Sequence, residues 1–212
     1  MEDGDSIIGA LYRRKQEDFR EKLRDMTDPY VVYVTDLVSC SHKRVMRQRF
    51  PLLSFRFEPA LVLGDLVHAG LEVLLGESGG WKPEVELAKE YRVEGETYTV
   101  KGRADLVKYG EDGEPEIVAE IKTGRDLPGN QPHSHHVEQL RIYMELLGAE
   151  KGVLVYITPE RLLEFHLGRG PGFDVEARLA ETVRDAARPR FDWECRYCPF
   201  RRFCPFSGAA TR

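Results

Sequence analysis

Residues Lys101 to Lys122 read KGRADLVKYGEDGEPEIVAEIK, two β-prone runs on either side of an acidic turn, with a carboxylate in each run. Asp112-Gly113 is a pair that favours a two-residue hairpin loop. Closing that loop sets Glu111 against Glu114 and, residue by residue, Asp105 opposite Glu120. Pro115 competes with this register, because a proline beside the turn can lengthen the loop and shift the pairing by one. Directly opposed residues of an antiparallel pair have Cβ atoms roughly 4.5–5.5 Å apart, and like charges there repel, so a positive group is expected between the two acids. Lys122, two residues beyond Glu120, shares its face. A solvated surface hairpin is the ordinary setting for such charges. Here, however, Ala104, Leu106, Ala119 and Ile121 make one apolar face, and Val107 and Val118 make the other partly apolar. Carboxylates on strands covered from both sides call for a counter-charge or a metal ion.

The hairpin belongs to a longer meander, since Val85 to Val93 and Thr97 to Val100 flank a second turn signal, Glu94-Gly95. Upstream, residues 7–25 read as a charged helix with Ile7, Ile8, Leu11, Phe19 and Leu23 as its apolar positions, and Tyr30 to Val34 as a short strand. Thr35 is placed to cap a helix that carries Cys40 and continues through Lys43, Arg44, Arg47 and Arg49, a basic stripe read either as a solvated face or as a phosphate contact. Pro59 opens a helix with Leu63, Val67, Gly70, Leu71 and Leu74 expected inward and His68 among them; a lone histidine there is more often a core residue than a ligand. Downstream, Thr123 to His136 is a glycine- and proline-rich loop with three histidines, read as a solvated loop or as a lid over a DNA strand. A helix follows to Leu147, with Val137, Leu140, Met144 and Leu147 inward and Gln139 and Tyr143 together on another face. Val153–Thr158 and Leu162–Leu167 read as strands, Asp174–Arg188 as a helix, and 190–206 as a cysteine-bearing tail.

With 212 residues the chain suits a single domain. Its net charge of −5 argues against a surface that grips nucleic acid everywhere while leaving room for a local basic patch. The acidic start MEDGDSII and the interruption of the apolar run Ala60–Leu71 by Gly64, Asp65 and His68 lead to the expectation of a cytoplasmic protein without signal peptide or membrane contact. Four cysteines, Cys40, Cys195, Cys198 and Cys204, are too few for a secreted disulfide scaffold of this size, and their close spacing points to metal or redox chemistry. Four thiolates suit either zinc or an iron–sulfur cluster. There is one C-x2-C knuckle where a zinc ribbon usually has two, and prolines follow Cys198 and Cys204 as one follows a cysteine in bacterial ferredoxin runs; on these residues iron–sulfur, zinc and disulfides all stay open.

In order along the chain stand G-x-x-x-H (Gly64 to His68), G-x-x-D (Gly102 to Asp105), E-x-K (Glu120 to Lys122) and Q-x-x-x-Y (Gln139 to Tyr143). Each motif alone is weak. Together they resemble the RecB-like branch of the PD-(D/E)XK nuclease superfamily. One cysteine before this set and C-x2-C-x5-C after it resemble the iron staple of such nucleases. In a short chain without a helicase, the combination resembles the fourth CRISPR-associated (Cas) protein family, stand-alone RecB-like exonucleases, over residues 35–206.

That resemblance implies an α/β fold with a restriction-endonuclease-like core, a central mixed sheet flanked by helices, and an iron–sulfur cap joining an N-terminal helix to the C-terminal tail. It implies a catalytic set of His68, Asp105, Glu120, Lys122, Gln139 and Tyr143. Mn2+ or Mg2+ would be held by His68, Asp105, Glu120 and the backbone carbonyl of Ile121, and a 2Fe-2S or 4Fe-4S cluster by Cys40, Cys195, Cys198 and Cys204. Hard carboxylate oxygens suit Mg2+ or Mn2+ and the imidazole tilts the choice towards Mn2+; Lys122 would orient or deprotonate the attacking water. Gln139 and Tyr143 would hold the DNA backbone, and the cluster would present Lys43, Arg44, Arg47, Arg201 and Arg202 to phosphates. The implied function is exonucleolytic cleavage of single-stranded DNA or single-stranded overhangs, trimming prespacers for a CRISPR array alongside the integration proteins. The alternatives are a non-catalytic iron–sulfur DNA-binding subunit, or the same nuclease in general repair. With no G-x-x-x-x-G-K-[ST] loop, the chain carries no ATP motor signature.

Overall fold

The computed structural model describes residues 6–78, 80–124 and 131–207; beyond the backbone, nothing is described of residues 77 and 78. The elements run α1 (Ile7–Thr27), β1 (Val31–Tyr33), α2 (Val34–Leu37), α3 (Ser41–Arg49), a 3-10 turn (Pro51–Ser54), α4 (Pro59–Ser78), β2 (Trp81–Val93), β3 (Glu96–Tyr109), β4 (Pro115–Thr123), α5 (Ser134–Leu147), β5 (Lys151–Ile157), β6 (Leu162–Gly168), α6 (Val175–Val183) and α7 (Glu194–Tyr197). The long β3 organises a six-stranded mixed sheet. β2 lies antiparallel along it, and β1 runs parallel to it near its start. β4 pairs antiparallel with its end, then parallel with β5 through the α5 crossover, and β6 closes the edge.

The two hairpins differ in how they turn. Glu94 and Gly95, at φ 55° and 88°, both take the left-handed conformation that a tight two-residue loop between β2 and β3 requires. The β3–β4 connection is longer than Asp112-Gly113 alone predicts. Gly110 N–H donates to the Glu114 carbonyl (2.9 Å), Gly113 N–H to the Gly110 carbonyl (3.1 Å), and Tyr109 faces Pro115. A register shift between Lys108 and Tyr109 absorbs the extra length. Beyond it the predicted pairs return: Lys108 with Ile117, Val107 with Val118 and Leu106 with Ala119. Pro115 thus lengthens the loop, and the irregularity keeps the register at the acids.

The sheet is covered on both faces. Val107, Val118 and Leu154 join Val34, Leu37, Leu140, Met144 and Leu179 in the larger core under α2, α5 and α6, while Leu106, Ala119, Ile121 and Val153 pack with Leu71 and Leu75 of α4 in a smaller one. Gly148, at φ 75°, ends α5 as expected.

Three expectations need correction. The single helix predicted from Thr35 is two, with Cys40 at the N-cap of α3, because the chain turns at Val38–Cys40 to meet the C-terminal segment. α6 ends at Val183 rather than Arg188, and Asp185 takes φ 53° to start the return towards α3. In α4, Leu63 and Leu74 lie outward, at 56% and 66% exposure, and the inward stripe runs Gly64, His68, Leu71 and Leu75. This helix is long and apolar enough to cross a membrane by length and composition, but its sheet-facing side is committed, with His68 against Asp105.

Candidate active site

Backbone pairing between β3 and β4 stops at Leu106 and Ala119. One residue further, where the strands part, the Asp105 carboxylate takes over: its Oδ2 accepts the Ile121 N–H at 2.7 Å. Its Oδ1 lies 3.4 Å from Nδ1 of His68, which α4 brings in from the other side. Gly64 permits this approach, since a Cβ there would come within 2.9 Å of the Thr123 hydroxyl at the end of β4. One turn later on the same face stands His68. The hydrogen bond to Asp105 raises the pKa of its imidazole, against the effect of burial.

Glu120, at 3% exposure, sits across from Asp105 and is met by the positive group that two facing acids require. Its Oε1 accepts from Lys122 Nζ at 2.6 Å and from Gln139 Nε2 at 2.8 Å, and the Gln139 carbonyl oxygen takes a second proton of the Lys122 ammonium at 3.0 Å. An ammonium has three donors, so one N–H of Lys122 is left unclaimed among the described residues. Burial pushes the Glu120 pKa up and the Lys122 charge opposes it. The other carboxylate oxygen, Glu120 Oε2, is buried with no hydrogen-bond partner. A buried carboxylate oxygen without a partner is costly, and a divalent cation drawn to His68, Asp105 and Glu120 would supply one. Among the described residues these donors do not yet converge on one point, because Glu120 Oε1 is turned to Lys122. The donor set, two hard carboxylates and an imidazole, fits Mg2+ or Mn2+.

Gln139 and Tyr143 are placed differently from what the resemblance implies. They are only 7% and 3% exposed, and face Glu120 and Lys122 rather than solvent. Tyr143 packs over Gly102, where a Cβ would fall 2.7 Å from its ring and 2.8 Å from Val34. Burial raises its hydroxyl pKa, and the Gln139 side chain and the Arg103 backbone hydrogen-bond to it. The motif glycine therefore makes room for the motif tyrosine, which steadies the glutamine that holds Lys122.

Two members of the basic stripe of α3 also turn inward, while Lys43 and Arg49 stay exposed. Arg44 is buried, its guanidinium bonded to the Pro29 carbonyl, and Arg47 pairs with buried Asp36 through two bonds of 2.7 and 2.6 Å. Neither offers the phosphate contact expected of it. Lys43, Arg201 and Arg202 are exposed. Of the histidine loop, residues 125–130 lie outside the described residues, while His133, His135 and His136 stand at the start of α5, where His133 is exposed and His135 and His136 are partly buried against aromatic neighbours. His135 stands 4.9 Å from the Trp193 ring, and His136 Nδ1 is 2.9 Å from the Tyr156 hydroxyl.

All four cysteines are free thiols and line one cavity of about 270 Å³, which Lys122 and Gln139 also line. Burial raises the Cys40 pKa to about 11, against N–H groups of Lys43 and His42 that point at its sulfur. The segments that carry the thiols are joined by polar contacts that sequence reasoning missed. Buried Glu194 accepts N–H groups of Cys40 (2.7 Å), Arg190 (2.8 Å) and Phe191 (2.9 Å). Ser41 bonds the Ala187 carbonyl and Asp185, and His42 bonds Asp185 at 2.7 Å. The only sequence signal for Glu194 was an acid beside Cys195.

Comparison with known proteins agrees with this arrangement. The model of the PD-(D/E)XK nuclease superfamily matches residues 76–205. A curated relative from Saccharolobus solfataricus, "CRISPR-associated exonuclease Cas4", is 40% identical over 202 residues, covering 94% of this chain and 98% of that protein. The crystal structure of SSO0001 superposes with a TM-score of 0.82 at 37% identity, covering 92% of this chain and 94% of that one. With this sheet, these parted strands and these paired acids, the chain belongs to the PD-(D/E)XK nuclease superfamily and, within it, to the family of CRISPR-associated Cas4 exonucleases.

Proposed function

We propose that this nuclease is a metal-dependent exonuclease that cuts single-stranded DNA or single-stranded overhangs, and that it trims prespacers beside CRISPR integration proteins in the cytoplasm. The observation that carries the reading is the chain of contacts where β3 and β4 separate: Asp105 meets His68 and the Ile121 N–H, Glu120 meets Lys122, and a buried Glu120 oxygen is left without a partner. Asp105, Glu120, His68 and the Ile121 carbonyl would hold Mg2+ or Mn2+, which supplies a Lewis acid for the phosphoryl oxygen and lowers the pKa of bound water. Lys122 directs its unclaimed N–H at the attacking water or a phosphoryl oxygen and offsets the charge that grows there. Gln139 holds Lys122 and Glu120 in place and Tyr143 holds Gln139, so both act as positioning residues. Gel analysis of end-labelled single-stranded DNA with Mn2+ tests this. Asp105→Ala and Lys122→Ala are each expected to slow cleavage by about 10²-fold or more, and undiminished cleavage by Asp105→Ala overturns the nuclease assignment.

We infer an iron–sulfur cluster, two-iron or four-iron, held by Cys40, Cys195, Cys198 and Cys204, although as placed among the described residues no three of these thiols stand close enough together to hold a metal ion. They are free, face one cavity, and two of them accept backbone N–H groups of the kind that steady cluster sulfurs. Protein purified without oxygen is expected to be brown, with broad visible absorbance; a colourless sample that contains zinc overturns the cluster.

A further inference from the structure

The cavity shared by the catalytic lysine and the thiols has a wall that the reaction itself does not use. Trp193 stands on it, 43% exposed. Its ring stacks on Phe191 at 5.8 Å and 12°, and His135 meets it at 4.9 Å. His135 is anchored in turn by His136 at 4.0 Å, and His136 by Tyr156. Burial, with His133 and the Lys122 ammonium nearby, holds the His135 pKa down to about 4, so its ring is neutral at neutral pH. The charges on the same lining favour a polyanion. Asp36 and Glu194 are spent on Arg47 and on backbone N–H groups, while Lys43 and Arg201 are exposed and carry no ion pair among the described residues.

An exposed tryptophan braced from behind, in a cationic cavity that reaches Lys122, matches the two parts from which single-strand grooves are built: charge along the backbone and a ring for the bases. We propose that Trp193, seated on Phe191 and His135, is a stacking platform for one unpaired nucleobase of the strand whose phosphate lies at Lys122. A base inside a duplex has both faces covered by its neighbours and cannot stack there. Trp193 would therefore select single-stranded over paired DNA, without regard to base identity. The proposal rests on the single-strand reading above and gives it a residue.

The test uses the full chain carrying Asp105→Ala, so that the DNA survives, and measures binding of oligothymidylate and of the same strand with one abasic residue moved along it. Adding Trp193→Ala is expected to weaken binding of the intact strand about tenfold, within the 1–3 kcal/mol typical of a base–aromatic stack, and Trp193→Phe to keep most of it. At one abasic position the parent should lose the same factor while the Trp193→Ala chain loses nothing further. A merely structural tryptophan would not produce that coupling. In the Trp81→Phe chain, whose fluorescence then comes from Trp193 alone, oligothymidylate should quench and blunt duplex should not. Undiminished binding, equal abasic losses with and without Trp193, or no quenching overturns the platform. Asp105→Ala would still slow cleavage as expected above in that case, so the platform can fail while the nuclease stands.

Discussion

The parted hairpin and the cap that ties Cys40 to the C-terminal segment both hold charged groups away from water, yet they do so by different means. In the hairpin the partners are side chains a few residues apart or on adjoining elements: Glu120 with Lys122, both with Gln139, Asp105 with His68. In the cap the contacts that tie its two ends together run largely to backbone groups more than a hundred residues away, as where Glu194 takes the Cys40 N–H across 154 positions and Ser41 the Ala187 carbonyl across 146. The first arrangement leaves a signature in residue types at fixed spacing. The second leaves almost none, because every residue except proline offers the same N–H. The hairpin is thus built around chemistry, with a lysine proton and a carboxylate oxygen left over. Around Glu194, by contrast, every bond serves to hold the chain together.

The largest effect that would break this contrast lies in the cap. Glu194→Ala strips the acceptor from three N–H groups at once, and an orphaned buried donor costs about 1–3 kcal/mol. A loss of about 3 kcal/mol in chemical denaturation of the cluster-free protein is expected. A loss near zero would mean that the thiol segments are held by something other than this carboxylate, and the two regions would differ less than described. Cleavage per folded molecule should be little changed, since Glu194 bonds to none of His68, Asp105, Glu120 and Lys122.

A smaller effect sharpens the hairpin side. Gly102→Ala would push a methyl group to within 2.7 Å of the Tyr143 ring and 2.8 Å of Val34, an overpacking that typically costs 1–3 kcal/mol; about 2 kcal/mol is expected from thermal melting. Because Tyr143 supports Gln139 and Gln139 supports Lys122, kcat should fall while KM for the DNA changes little. A change in KM alone would place Tyr143 on the substrate instead. The sequence showed that Gly102 matters but not why: a glycine four residues from no turn reads as a weak strand position, and its reason is a ring arriving from α5. The alternation of apolar residues, the Glu94-Gly95 turn and the four motifs were legible because each is a local pattern. The inward turn of Arg44 and Arg47 was not, since a stripe of arginines looks the same whether it faces phosphate or a buried aspartate, and only Asp36, eleven residues before Arg47, decides it. The exposed leucines of α4 were misassigned for a related reason. A helix apolar on all sides gives no period by which to tell in from out.

The smallest effect concerns the seam where the two regions meet, the histidines between β5, α5 and Trp193. Burial, with Lys122 and neighbouring histidines adding repulsion, lowers the pKa of His135 to about 4 and of His136 to about 2, from 6.5 in the unfolded chain. Below pH 6.5 the unfolded chain therefore binds protons that the folded chain refuses. Stability is full above that pH and falls as the pH drops towards 4 for His135 and further for His136. Both imidazoles are partly exposed, so solvent screening reduces the loss, to about 1 kcal/mol between pH 6.5 and 5. His136→Asn keeps an acceptor for the Tyr156 hydroxyl and removes the titration; melting curves of that variant should be flatter over the same interval than those of the parent. A parent whose stability did not fall in this interval would show that the folded seam takes up the proton as readily as the unfolded chain does, which would undo the neutral aromatic wall on which Trp193 is braced.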